Sequence, residues 1–221
     1  MASVSQTQTA GQVAHTAAHT AAQTAAPTTA ARLTPTSDFT LGPFFPASYV
    51  DAGSNDLTQL HGRSAQGTPI EISGRVVQED GTPMHNLILE IWQADAQGIF
   101  HHPVDPRHAN ADPHFHGWGR AATNKHGEYR FRTIKPGAYA TAEGVQRAPH
   151  INVLIVFSGI SRQLHTVLFF EGESGNSTDP VLNAVMPAEL RPRLVARREA
   201  DGCYRFDVRL RGEGETPFFE D

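Results

Sequence analysis

The sequence predicts an all-β fold, an antiparallel β-sandwich, on three observations. Apolar residues alternate with polar ones in short segments, Gly, Pro, Asp and Asn punctuate the gaps between them, and no long helical period runs through the folded part. At 221 residues the chain is long enough to bury a sizeable core in one domain. Residues 70–77 alternate ahead of the turn-like Glu79-Asp80-Gly81-Thr82-Pro83, and residues 87–92 alternate again. Further strands are predicted at 128–134, 150–157, 165–170 and 203–210. A sheet with one apolar face must bury it against another layer, and this many short strands with turns between them suit a sandwich. A short helical segment is predicted near 181–198, where Val181, Leu182, Val185 and Met186, then Leu190, Leu194 and Val195, are spaced for helical turns broken by Pro187 and Pro192. Residues 100–118, rich in His, Pro and Asp, form a long irregular loop of the kind that is functional or mobile.

Residues 1–32 are biased toward Ala, Thr and Gln, with a near-repeat in His15-Thr-Ala-Ala, His19-Thr-Ala-Ala and Gln23-Thr-Ala-Ala. Such a segment has little apolar surface to offset its ordering entropy, so it is expected to be a disordered tail ahead of a domain at 33–221. The net charge of −5, with 18 Lys and Arg against 23 Asp and Glu, gives no polycationic surface for nucleic acid. Cys203 stands alone and cannot form an intrachain disulfide, and no apolar run approaches the ~20 residues that span a bilayer. A bacterial cytoplasmic setting is expected.

Five histidines, His101, His102, His108, His114 and His116, crowd the long loop. Their spacing follows no ligand template, and Asp105, Arg107 and Asp112 are at hand to satisfy several of them in a surface network.

Four segments carry a more specific signal. They are Thr40-Leu-Gly-Pro-Phe-Phe45, Leu87-Ile-Leu-Glu-Ile-Trp-Gln-Ala-Asp95 followed by Gly98-Ile-Phe100, Tyr129-Arg-Phe-Arg-Thr-Ile-Lys-Pro-Gly-Ala-Tyr139, and Arg147-Ala-Pro-His-Ile-Asn152. In this order they resemble the intradiol ring-cleaving dioxygenases, and within them the alpha chains of the protocatechuate 3,4-dioxygenases, from about Thr34 to the C-terminus.

The resemblance implies a ferric ion held by two tyrosines and two histidines in active members, the tyrosine oxyanions stabilising a hard cation. The first tyrosine position is Phe100 here and the second is Tyr139; the histidine positions are His150 and Asn152. Phenylalanine has no oxygen to donate, and a neutral amide has poor affinity for ferric ion. The resemblance therefore implies a chain without catalytic residues or iron of its own, paired with a ligand-complete beta subunit that carries Fe(III). Thr40, Gly42 and Pro43 are expected to line the shared pocket near the substrate carboxylate, with Arg162 as a substitute countercharge because Ser158 stands where an arginine is expected. Arg147 is expected in a structural ion pair. The substrates implied are protocatechuate and O2, the product 3-carboxy-cis,cis-muconate. Two alternatives remain open: a self-sufficient iron enzyme using Tyr139, His150 and loop histidines, and a non-enzymatic transthyretin-like binding module. Phe218 and Phe219 either cover a partner or tuck back on their own domain.

Overall fold

Burial alternates along the long strands with the period of two that the apolar pattern predicts, most cleanly from Pro69 to Val77. The computed structural model describes Phe45, Tyr49, residues 53–157 and residues 163–219, all within one compact unit spanning Asp38–Asp221. A small hairpin of β1 (Gln59–Leu60) and β2 (Arg63–Ser64) precedes β3 (Pro69–Val77), β4 (Ile88–Trp92), β5 (Trp118–Ala122) and β6 (Glu128–Ile134). A second small hairpin, β7 (Tyr139–Ala140) with β8 (Gln146–Arg147), leads into β9 (His150–Val156) and β10 (Leu164–Phe170). Helix α1 (Pro180–Ala184) and a 3-10 segment, Ala188–Leu194, connect to β11 (Val195–Ala200), β12 (Cys203–Arg205) and β13 (Val208–Arg209).

The strands form a sandwich. One layer runs β6–β3–β12–β11, with β13 taking up the β3 edge beyond β12, and the other runs β5–β4–β9–β10. Strand β11 joins them: Val195 and Ala196 pair with Phe169 and Phe170 of β10, and Arg197 onward pairs with β12. Between the layers, Ile70, Ile72, Val76, Phe131 and Tyr204 meet Leu89, Ile91, Ile151, Val153, Ile155 and Phe170. Burying each such side chain contributes about 1.5–3 kcal/mol, which is why the alternating register is strongly specified.

Several local features differ from expectation. Pairing is mixed rather than wholly antiparallel, since β10 runs parallel to β11 and both β12 and β13 run parallel to β3. The predicted strand at 203–210 is split, because the Asp207 carboxylate accepts from the Arg75 backbone N–H at 2.9 Å and replaces a ladder bond. The helical segment is shorter than 181–198: Asp179 caps α1 by accepting from the Val181 and Leu182 N–H groups, and residues from Val195 onward are already strand. Pro192 lies inside the 3-10 segment instead of breaking it. Strand β5 escapes the pattern because its inward residues are Gly119 and Ala121, and a Cβ on Gly119 would lie 2.4 Å from Leu57. The C-terminal phenylalanines tuck back: Phe219 N–H donates to the His165 carbonyl at 2.8 Å, and Phe218 packs against the main core.

Candidate functional site

Phe100, Tyr139, His150 and Asn152 converge at one end of the β4–β9 layer. Strand β9 sends His150 and Asn152 to the same face, two residues apart, and its pairing sets Asn152 beside Trp92 of β4. The Phe100 ring lies nearly parallel to Trp92 at 6.2 Å and edge-on to Tyr139 at 5.4 Å, and the Tyr139 and His150 rings are 5.6 Å apart.

Local backbone chemistry holds the chain segments in this arrangement. Gly98 has φ of +75°, and a Cβ there would lie 2.3 Å from the Ala138 carbonyl oxygen; a Cβ on Gly137 would lie 2.5 Å from the Ala96 carbonyl oxygen. Only glycine permits so close a crossing of the segments that carry Phe100 and Tyr139. Buried Asp95 ties them together: its carboxylate accepts from the N–H groups of Gln97, Ile99 and Asp112, and its carbonyl accepts from Gly98 and Gly137. Hydrogen bonds to a charged group contribute about 1.5–3 kcal/mol each. Gln93, also buried, donates to the Ile134 carbonyl and accepts from the Thr133 hydroxyl. Sequence reasoning missed Gln93 and Asp95 as supports, and the tight Asp95-to-Gly98 turn was the available signal.

The segment before His150 is clamped from the other side. Fully buried Asp179 accepts from Arg147 Nε and Ala148 N–H, each at 2.9 Å, besides capping α1, so Arg147 forms the expected structural ion pair. The burden of burial on Asp179 is outweighed by these donors, and its pKa stays below the usual carboxylate value. His150 Nδ1 lies 2.6 Å from the Ala148 carbonyl oxygen. A carbonyl only accepts, so Nδ1 carries the proton and Nε2 keeps the lone pair. Burial lowers the His150 pKa to about 4, leaving a neutral imidazole at pH 7. Burial likewise raises the Tyr139 pKa, with the nearby Arg147 charge opposing it, so this side chain is a neutral phenol.

The donor set on this wall does not fit a complete ferric site. Tyr139 and His150 carry strong donor atoms, Phe100 carries none, and the Asn152 amide nitrogen faces the Trp92 carbonyl oxygen at 3.4 Å. Beside it lies a cavity of about 560 Å³ whose lining includes Trp92, Phe100, His102, Arg107, Tyr139 and Asn152. Aromatic rings share its walls with polar side chains, among them Asp105 and Thr141.

Of the five loop histidines, only His102 lines this cavity, its ring edge-on to Trp92 with centroids 5.7 Å apart. His101 Nδ1 faces the Phe115 carbonyl, His108 Nδ1 faces the Asp105 carbonyl, and His102 Nδ1 accepts from Val104 N–H. The expected surface network therefore takes another form: Asp105 binds Arg107 and the Phe100 N–H, and Asp112 binds the N–H groups of Gln66 and His114. Among the described residues, no group of three or more His, Cys, Asp or Glu side chains is arranged to hold a metal ion. Thr40, Gly42, Pro43, Ser158 and Arg162 lie outside the described residues, as does the tail at 1–32.

Comparison with known proteins places this geometry in a family. A family model described as dioxygenase matches residues 40–212. The chain is 41% identical over 161 residues to the protocatechuate 3,4-dioxygenase alpha chain of Pseudomonas putida, covering 71% of this chain and 78% of that one. It is 35% identical over 186 residues to the protocatechuate 3,4-dioxygenase beta chain of Burkholderia cepacia, covering 79% of each. Among solved structures it resembles the dioxygenase domain of a dioxygenase and carbohydrate-binding fusion from Streptomyces sp. SirexAA-E, with a TM-score of 0.52, 29% identity, and coverage of 80% of this chain and 98% of that domain. The chain belongs to the intradiol ring-cleaving dioxygenase family.

Proposed function

We propose that this chain is the non-ligating alpha subunit of a protocatechuate 3,4-dioxygenase, acting with an iron-bearing beta subunit. The observation that carries this reading is the pair Phe100 and Asn152: an aromatic hydrocarbon lies against Tyr139 and an amide against Trp92, at two of the four positions that the resemblance assigns to ligands. Similarity to both an alpha and a beta chain supports two homologous partners. In the complex, 3,4-dihydroxybenzoate and O2 give 3-carboxy-cis,cis-muconate, with both oxygen atoms of O2 entering the new carboxylates. Fe(III) belongs to the beta chain in this reading.

This chain's contribution is a pocket wall. Gly42 lets backbone pass close to a planar ligand, Pro43 fixes its path, and Thr40 offers a hydroxyl near the substrate carboxylate. Arg162 is assigned the carboxylate's countercharge. The setting is the bacterial cytoplasm; no helix among the described residues is long and apolar enough to cross a membrane.

The test is co-expression with a ligand-complete beta chain, measuring iron and ring cleavage for the pair and for each chain alone. The reading expects about one iron per pair, activity in the pair, and a colourless, inactive alpha chain. Changing Tyr139 to Phe should leave the pair's iron content and turnover within about twofold of the unaltered complex, since Tyr139 ligates nothing in this reading. Iron at stoichiometric level in this chain alone, with a tyrosinate absorption band lost in Tyr139→Phe, would mean a self-sufficient enzyme instead.

A further inference from the structure

A second cavity, of about 440 Å³, lies against the outer face of the β3–β12–β11 layer, away from the wall just described. Arg75, Arg193, Arg197, Arg205 and Arg209 line it together with Asp207. In a chain whose acidic residues outnumber Lys and Arg, five guanidinium groups around one cavity are a local reversal of charge.

The backbone forces two of them together. Arg197 of β11 and Arg205 of β12 are directly opposite in antiparallel register. Like charges so placed are destabilising unless something neutralises them. Asp207 meets Arg205 through two contacts, Nε at 3.0 Å and an Nη at 2.9 Å, and so answers one charge. Three other guanidinium groups are held by carbonyl oxygens: Arg75 Nε donates to His126 at 2.7 Å, Arg193 to Glu215 at 3.0 Å, and Arg209 to Gln78 and Glu79 at 3.2 and 2.8 Å. A carbonyl orients a guanidinium group but leaves its charge in place. Within the lining, five arginines stand against the one carboxylate of Asp207, while Glu128 and Glu199 act on Arg205 from outside it.

We propose that this groove binds a small multivalent oxyanion, a molecule with two or three clustered carboxylate or phosphate groups. Arginine is the side chain best matched to such groups because its planar fork donates two parallel hydrogen bonds. Arginines of β3, β11, β12, β13 and the end of the 3-10 segment line one groove, and a ligand with clustered anionic groups can meet Arg197 and at least one further charge at once. The cavity falls within the range of about 300–1,000 Å³ common for small-molecule sites.

Calorimetric titration of the full-length chain tests this, using pyrophosphate and citrate as separate probes at ionic strength matched with sodium chloride. One saturable site per chain is expected for at least one probe, and the tighter probe identifies phosphoryl or polycarboxylate groups as the source. Arg197→Gln should weaken binding by about tenfold or more, as loss of a charge-assisted pair does, with Arg197→Lys intermediate. Arg63→Gln, an exposed change in the β1–β2 hairpin, should leave it unchanged. Arg205→Gln serves as a second variant, but it also breaks the Asp207 pair, so Arg197→Gln decides if that protein fails to fold. No saturable binding by either probe, or equal weakening by Arg63→Gln and Arg197→Gln, overturns the proposal.

Discussion

The Phe100 ring stands edge-on to the Tyr139 ring, with centroids 5.4 Å apart and an interplanar angle of 87°. The two rings thus meet nearly at right angles on the wall that the proposed function assigns to vestigial ligand positions. Restoring the missing donors should restore metal affinity. The double variant Phe100→Tyr with Asn152→His is expected to carry about tenfold or more iron per chain than the unaltered protein, with a visible tyrosinate-to-iron band. Elemental analysis and the absorption spectrum check this, and unchanged iron content would count against Phe100 and Asn152 as former ligand positions.

Gly98 governs the approach of these two rings. Alanine there would meet the Ala138 carbonyl oxygen and adopt a positive φ, so Gly98→Ala should destabilise the fold by about 2–3 kcal/mol. Urea unfolding measures it. A loss below ~0.5 kcal/mol would show that the crossing relaxes freely.

Asp179 joins Arg147, Ala148 and α1 through one buried carboxylate. Removing it leaves a half-buried guanidinium group and three N–H groups without their acceptor. Asp179→Ala is therefore expected to cost about 3–5 kcal/mol, with hydrogen exchange quickening first around residues 146–150 and 180–184. Uniform exchange with little loss of stability would refute the clamp.

Acid stability should depend on Asp105. Its hydrogen bond and ion pair with Arg107, assisted by the Arg107 and Phe100 N–H groups, hold its pKa at about 2 against an ordinary value of 3.8. A carboxylate with a depressed folded-state pKa contributes stability that is complete above its unfolded pKa and lost as pH falls toward the folded one. Arg107 is 40% exposed, so solvent screening limits the contribution to about 1 kcal/mol. Asp105→Asn should lower stability by that amount at pH 7, and the difference from the unaltered protein should vanish between about pH 4 and pH 2. Parallel denaturant titrations at several pH values check it; a difference that persists at pH 2 would assign the effect to packing.

The sandwich was legible because an alternating apolar pattern has only one register that buries its face, and the long strands β3, β4, β6, β9 and β10 carry that pattern openly. The identities of Phe100, Tyr139, His150 and Asn152 were equally plain, since the presence or absence of a donor atom is a property of the residue itself. Strand β5 was not legible, because Gly119 and Ala121 fill its inward positions and only the facing Leu57 makes that smallness fit. Nor was the mixed pairing, which depends on which distant strands become neighbours. Asp112 was expected in a surface network, and nothing in the sequence singled out the carboxylates of Asp95 and Asp179; folding surrounds all three with N–H donors and turns them into buried supports. The arginine groove has the same origin: its five members span residues 75–209 and share a cavity only because β12 and β13 lie beside β3 and β11 lies beside β12. Local pattern and residue chemistry are written along the chain, whereas burial and shared fields arise between segments far apart in it, and only the tertiary structure decides them.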